Sequence, residues 1–167
     1  MNLPTFIVCV ILFVGCVNPF APKLDESPNN STSILSDQKT VDGVLQNFKQ
    51  AYIFRDTTIY GRLFAQNFIF VFKDYEKGVD VFWGRDDDVR TTYGLFQNVQ
   101  RLDLIWNSTV ATSGDNIKLT ITKNFNLTVT FSASDVVRID GYANLTLERT
   151  DSTTAWLITR WRDESNF

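Results

Sequence analysis

Asn124-Phe125-Asn126-Leu127-Thr128-Val129-Thr130-Phe131 alternates polar and apolar residues without a break. Side chains of a strand point alternately to its two faces, so Phe125, Leu127, Val129 and Phe131 share one face and Asn124, Asn126, Thr128 and Thr130 the other. One face packs and the other is polar, as in an antiparallel sheet covered on one side. The strand containing this stretch runs from about Asn116, and similar segments lie at about Arg101 to Thr112, Asp135 to Thr150 and Thr154 to Asp163. Turn-rich breaks at Ser113-Gly114-Asp115, Ser132-Ala133-Ser134 and Asp151-Ser152-Thr153 separate them, which predicts an antiparallel meander.

Upstream of the meander the period changes. From Thr40, the residues Val41, Val44, Leu45, Phe48, Ala51, Tyr52 and Ile53 recur at helical intervals, with Ser36 or Asp37 as the expected cap. A second short helix is expected over Thr57 to Ala65, capped by Asp56 and ended by Gln66-Asn67. Phe68-Ile69-Phe70-Val71-Phe72 is aromatic and β-branched throughout and reads as a central strand covered on both faces. Lys73 to Asp80 reads as a polar loop. Gly84-Arg85-Asp86-Asp87-Asp88 then opens a third helix through Phe96, its acids placed where the helix dipole favours them and Val89, Tyr93 and Phe96 facing inward.

The N-terminus carries an address. Phe6 to Val14 is an unbroken apolar run, too short to cross a hydrocarbon layer of ~30 Å but suited to a signal-peptide core. It ends in Phe13-Val14-Gly15-Cys16, which resembles the lipobox of bacterial lipoproteins, with Gly15 before the cysteine that receives the lipid. The resemblance implies a signal over residues 1–15, acylated Cys16 as the membrane anchor, and export. Val17 in place of an aspartate favours the outer membrane over retention at the inner one. Residues 16–38, with Pro19, Pro22, Pro28 and a Ser/Thr cluster, read as a disordered tether, because such a composition buries too little apolar area to offset chain entropy. Residues 39–167 are left as one soluble domain.

Composition excludes several functions. The 167 residues include no histidine and two cysteines, both in the N-terminal segment, so the usual zinc, copper and haem ligand sets cannot be built in the domain. No cofactor is called for. A net charge of -3 gives no footprint for nucleic acid. Asp86-Asp87-Asp88 lacks the glycine and spaced ligands of a calcium loop.

The order helix, helix, strand, helix and long antiparallel strands resembles the nuclear transport factor 2-like superfamily, a cystatin-like cone. The resemblance rests on Phe48-Lys49-Gln50-Ala51-Tyr52 with Arg55-Asp56, on Leu63-Phe64 and Phe68, on Trp83-Gly84-Arg85, and on Trp156-Leu157-Ile158 with Trp161. It implies an α+β fold in which N-terminal helices pack on a curved antiparallel sheet to make a cone with a pocket. Enzymes of this superfamily place acids, bases or tyrosines on the inner wall. Matched to the ketosteroid isomerases, the oxyanion-binding tyrosine falls on Phe48 and the general-base aspartate on Phe72, and neither phenyl ring can do that work. Dehydratases that depend on histidine are excluded by composition.

No residue is therefore named as catalytic. Tyr52, Tyr60, Asp103, Trp106, Asp140, Tyr142 and Arg160 are the candidates for the pocket wall, with Arg138 beside them. Against this, Arg138, Asp140, Tyr142, Asn144 and Glu148, spaced by twos, also read as the solvated face of a strand whose Val137, Ile139, Leu145 and Leu147 pack inward. The expected function is a membrane-anchored, non-catalytic cone that binds a small apolar ligand or a protein partner, with a homodimer through the sheet as one form of partner. An isomerase, dehydratase or cyclase using Asp103, Asp140 and Tyr142 is the alternative.

Overall fold

A computed structural model describes residues 34–165. The expected signal, Cys16 and the tether up to residue 33 lie outside the described residues. Three helices, α1 (Val41–Phe54), α2 (Thr57–Gly61) and α3 (Arg85–Asn98), accompany six strands, β1 (Phe64–Asp74), β2 (Val79–Gly84), β3 (Arg101–Gly114), β4 (Lys118–Ser132), β5 (Asp135–Glu148) and β6 (Leu157–Ser165). The strands form one open sheet in the order β2-β1-β6-β5-β4-β3. β3 to β6 make the expected meander, but β6 pairs parallel with β1, so the sheet is mixed.

Thr40 caps α1 by accepting from Gly43 N at 3.0 Å, in place of the expected Ser36 or Asp37. Ser36 does other work: its N–H donates to Asn47 Oδ1 (2.7 Å) and its carbonyl accepts from Asn47 Nδ2 (2.9 Å). Gln38 pairs with the backbone of Trp156 in both directions. The last residues of the expected tether are thus docked on the domain, because Asn47, buried inside α1, needs partners there. Ile53 lies past the buried face of α1 and is exposed.

Asp56 caps α2 as expected, accepting from Thr58 N and Ile59 N. The helix stops at Gly61, and Leu63 and Phe64 enter the core from the start of β1 instead. Gln66 and Asn67 are strand residues, where a register shift between Phe64 and Ile69 accommodates them. β1 is flanked on both sides, yet Ile69 is exposed, so only one of its faces is fully covered.

The expected polar loop is a hairpin. Gly78 N donates to Asp74 O at 2.8 Å with Gly78 in the left-handed region (φ 71°), and the chain returns as β2. Among the helix residues expected to face inward, Tyr93 is exposed, while Asp88 and Thr92 are buried with Phe96. The core is strongly aromatic: Phe48 meets Tyr60, Phe64, Trp106 and Trp161 edge to face, with centroids 5.3–6.3 Å apart, a favoured geometry for rings.

Candidate functional site

The inner face of the sheet and α1 line a partly open cavity of ≈ 160 Å³. Phe48 and Tyr52 come from α1, Phe70 from β1, Leu104 and Trp106 from β3, and Phe125 and Leu127 from β4. Ile139 of β5 and Trp161, Asp163 and Ser165 of β6 complete the wall. The stretch that alternates in the sequence thus delivers its apolar face to the cavity. Trp106 is fixed there by its indole N–H, which donates to the Leu45 carbonyl at 3.0 Å and ties β3 to α1.

Asp163 is the carboxylate of the wall. It reaches the cavity because β6 alternates: Trp161 and Asp163 face inward while Arg162 turns out to pair with Asp80 at 2.8 Å. Its Oδ2 accepts from the Ser165 hydroxyl at 3.0 Å, and its Oδ1 is buried with no partner. Burial pushes the carboxyl above its ordinary value, and the hydrogen bonds from Ser165 only partly offset this. Trp161 Nε1 is also buried without a partner. Gly141 faces Ser165 in register, and a Cβ there would lie 2.4 Å from Ser165 Cα, so only glycine lets β5 approach the end of β6.

Tyr52 presents a second ionisable group to the wall. Burial, then the charges of Asp88 and Asp163, push its phenol well above its ordinary value, against a hydrogen bond from Tyr60. Behind it, Tyr60 donates to Asp88 Oδ2 at 2.8 Å and Trp83 Nε1 donates to Asp88 Oδ1 at 2.9 Å. Asp88 is raised by burial, and both donors pull it back. The Trp83-Gly84-Arg85 stretch is explained here: Trp83 closes this network and Arg85 donates to the Gly61 carbonyl at 2.7 Å, holding α2 against α3.

Of the residues expected at the wall, Tyr52 and Trp106 line the cavity and Tyr60 stands directly behind it. Asp103, Asp140, Tyr142 and Arg160 do not reach it. Each lies between inward residues of its strand, on the opposite face, where Asp103 pairs with Arg101 at 2.7 Å and Asp140, Tyr142 and Arg160 are exposed with Arg138. The alternation of β5 places Arg138, Asp140 and Tyr142 there, as the solvated-face reading of that strand expects.

Asp163 and Ser165 are polar wall residues that sequence reasoning missed. The signal was available: Asp163 follows Trp161 by two in a strand, so an inward tryptophan implies an inward acid. Phe72, which matches the general-base position of the isomerases, is paired in register with Asp163 across β1 and β6. The chain thus carries an acid on the neighbouring strand to the one where the resemblance looked for it.

No protein-family model matches this sequence, and no curated protein matches it. Solved structures do. A conserved protein from Planctomyces limnophilus superposes with a TM-score of 0.65 at 13% identity, covering 75% of this chain and 92% of that one. A candidate dehydratase of the NTF2-like family from Streptomyces avermitilis gives a TM-score of 0.60 at 14% identity over 75% of this chain and 93% of its own. The fold is nuclear transport factor 2-like. A protein of unknown function from Mycobacterium tuberculosis gives 0.61 at 15% identity, over 75% and 69%. At such identities the shared cone speaks for architecture, and the NTF2-like neighbours span candidate enzymes and proteins of unknown function alike.

Proposed function

We propose that this chain is an envelope lipoprotein, held by acylated Cys16 on the outer membrane, whose cone binds a small, mainly apolar ligand without converting it. The observation that carries the ligand reading is the wall itself, in which aromatic and aliphatic side chains surround two fully polar residues, Asp163 and Ser165, with Tyr52, Trp106 and Trp161 the rings that also carry a polar atom. A cavity of about 150 Å³ holds one benzene-sized molecule, so the ligand is a single-ring or short branched compound. Drug-sized ligands need roughly 300 Å³ or more.

Support for the anchor comes from Phe13-Val14-Gly15-Cys16 after the apolar run. Expression of the full chain in a bacterium with labelled palmitate tests it. Label in the membrane fraction that disappears in Cys16→Ala is expected; equal labelling of both chains would refute the anchor. Native mass spectrometry of the full chain, extracted from its own envelope in mild detergent, tests the ligand. A retained compound of about benzene's size, released by Leu127→Trp, is expected.

One observation favours a second, catalytic reading. Asp163 sits beside Phe72 at the depth where a general base would stand, and burial holds its pKa up, toward the range useful for proton transfer. On that reading Asp163 takes the place of Asp103, Asp140 and Tyr142. Turnover of an isomerase-type or dehydratase-type substrate by the full chain, abolished in Asp163→Asn, would establish it.

A further inference from the structure

We propose that the ligand of this cavity is an organic cation, an alkylammonium of about benzene's size that also carries an oxygen acceptor. The proposal rests on the ligand-binding reading above and specifies its chemistry.

The first observation is a missing charge. No lysine or arginine is among the described residues lining the cavity, yet Asp163 stands in its wall with Oδ1 buried and unpartnered. Buried carboxylates are normally paired, because desolvating the charge without compensation is costly. The bases nearby are spent elsewhere. Arg162, next in sequence, pairs with Asp80 and Glu164 on the outer face. Arg160 is exposed on that same face, and Lys123 donates to Thr109 Oγ1 at 3.1 Å. The wall therefore has an acid site that no group among the described residues neutralises.

The second observation is the ring set. Phe48, Tyr52, Phe70, Trp106, Phe125 and Trp161 all border the cavity. Aromatic faces attract cations through the ring quadrupole, most strongly when both are desolvated, and such cages recognise alkylated ammonium groups. A primary ammonium would need three acceptors to replace its water. A fully alkylated one needs none, and the rings together with the single carboxylate of Asp163 meet its charge without them. A metal ion fits less well still, since the described residues contain no cluster of three or more acidic or thiol ligands. The third observation is Trp161 Nε1, a buried donor without an acceptor. A hydroxyl or ether oxygen on the ligand would satisfy it.

Choline and its neutral carbon isostere 3,3-dimethylbutan-1-ol have the same shape and the same hydroxyl, and differ in the charge. Titration of the full chain in detergent, followed by tryptophan fluorescence, is expected to show choline bound at least tenfold more tightly. Asp163→Asn is expected to erase that preference while leaving the isostere bound. Equal or tighter binding of the isostere by the unsubstituted chain would overturn the cation and leave the small-ligand reading standing. Failure of choline, the isostere and benzene alike to bind would overturn both.

Discussion

Two carboxylates, Asp88 buried and Asp163 half-buried, share one perturbation and differ in their surroundings. Asp88, turned inward from the first turn of α3, accepts from Tyr60 and Trp83 with both oxygens. Asp163, near the end of β6, has one oxygen on Ser165 and one on nothing. Burial raises both. The difference separates an acid that holds the fold together from one that the fold carries at a cost. Folds retain such costs where a ligand is to be met, because a site kept ready for a partner is unsatisfied without it.

The largest expected effect breaks the comparison from the Asp88 side. Asp88→Ala strands the Tyr60 hydroxyl and the Trp83 indole N–H in the core, and each buried unpaired group costs about 1–3 kcal/mol. Denaturant unfolding is expected to register a loss of about 3 kcal/mol. Asp163→Leu runs the other way: it removes a desolvated, half-paired charge, and stability at neutral pH should rise by about 1 kcal/mol. A loss like that of Asp88→Ala would mean that Asp163 is as structural as Asp88.

The pH dependence sharpens the same contrast. Because burial raises the folded-state pKa of Asp163, the folded chain keeps this proton at pH values where the unfolded chain has released it. Its contribution to stability therefore falls as pH rises from the ordinary carboxylate pKa through the raised one. The surface acids Asp74 and Asp80 are shifted down and act in the opposite sense, so the test is a difference. Relative to Asp163→Asn, the unsubstituted chain should lose stability across that window and match it below. The smallest effect is reserved for the outer face. Asp103→Asn and Tyr142→Phe should change stability by no more than about 0.5 kcal/mol and should leave choline binding unaltered.

The meander was legible because β4 and β5 alternate cleanly and because glycine and serine mark their ends. The helices were legible from their period. The remainder was hidden for physical reasons. β2 is a six-residue edge strand, and edge strands tolerate charges and exposed apolar residues that blur their pattern. Helical spacing treats Tyr93 as apolar and turns it inward, whereas the structure buries Asp88 and Thr92 there because Tyr60 and Trp83 supply the partners. Tyr60 lies 28 residues away in sequence, beyond any local pattern, and Trp83, 5 residues away, lies across the break from β2 to α3. The parallel pairing of β6 with β1 is likewise a long-range fact, and it is this pairing that sets Asp163 beside Phe72. Asp103, Asp140, Tyr142 and Arg160 stand out in the sequence as polar residues in strands. Facing, which alternation decides, was the better guide.

The most direct test compares the two acids under ligand. Thermal unfolding of the full chain, Asp88→Asn and Asp163→Asn is measured with and without saturating choline. Asp163→Asn is expected to be at least as stable as the unsubstituted chain without choline and to gain clearly less from it. Asp88→Asn should be less stable but should still be stabilised by choline. Choline stabilising Asp163→Asn as much as the unsubstituted chain would show that Asp163 does not meet the charge of the ligand.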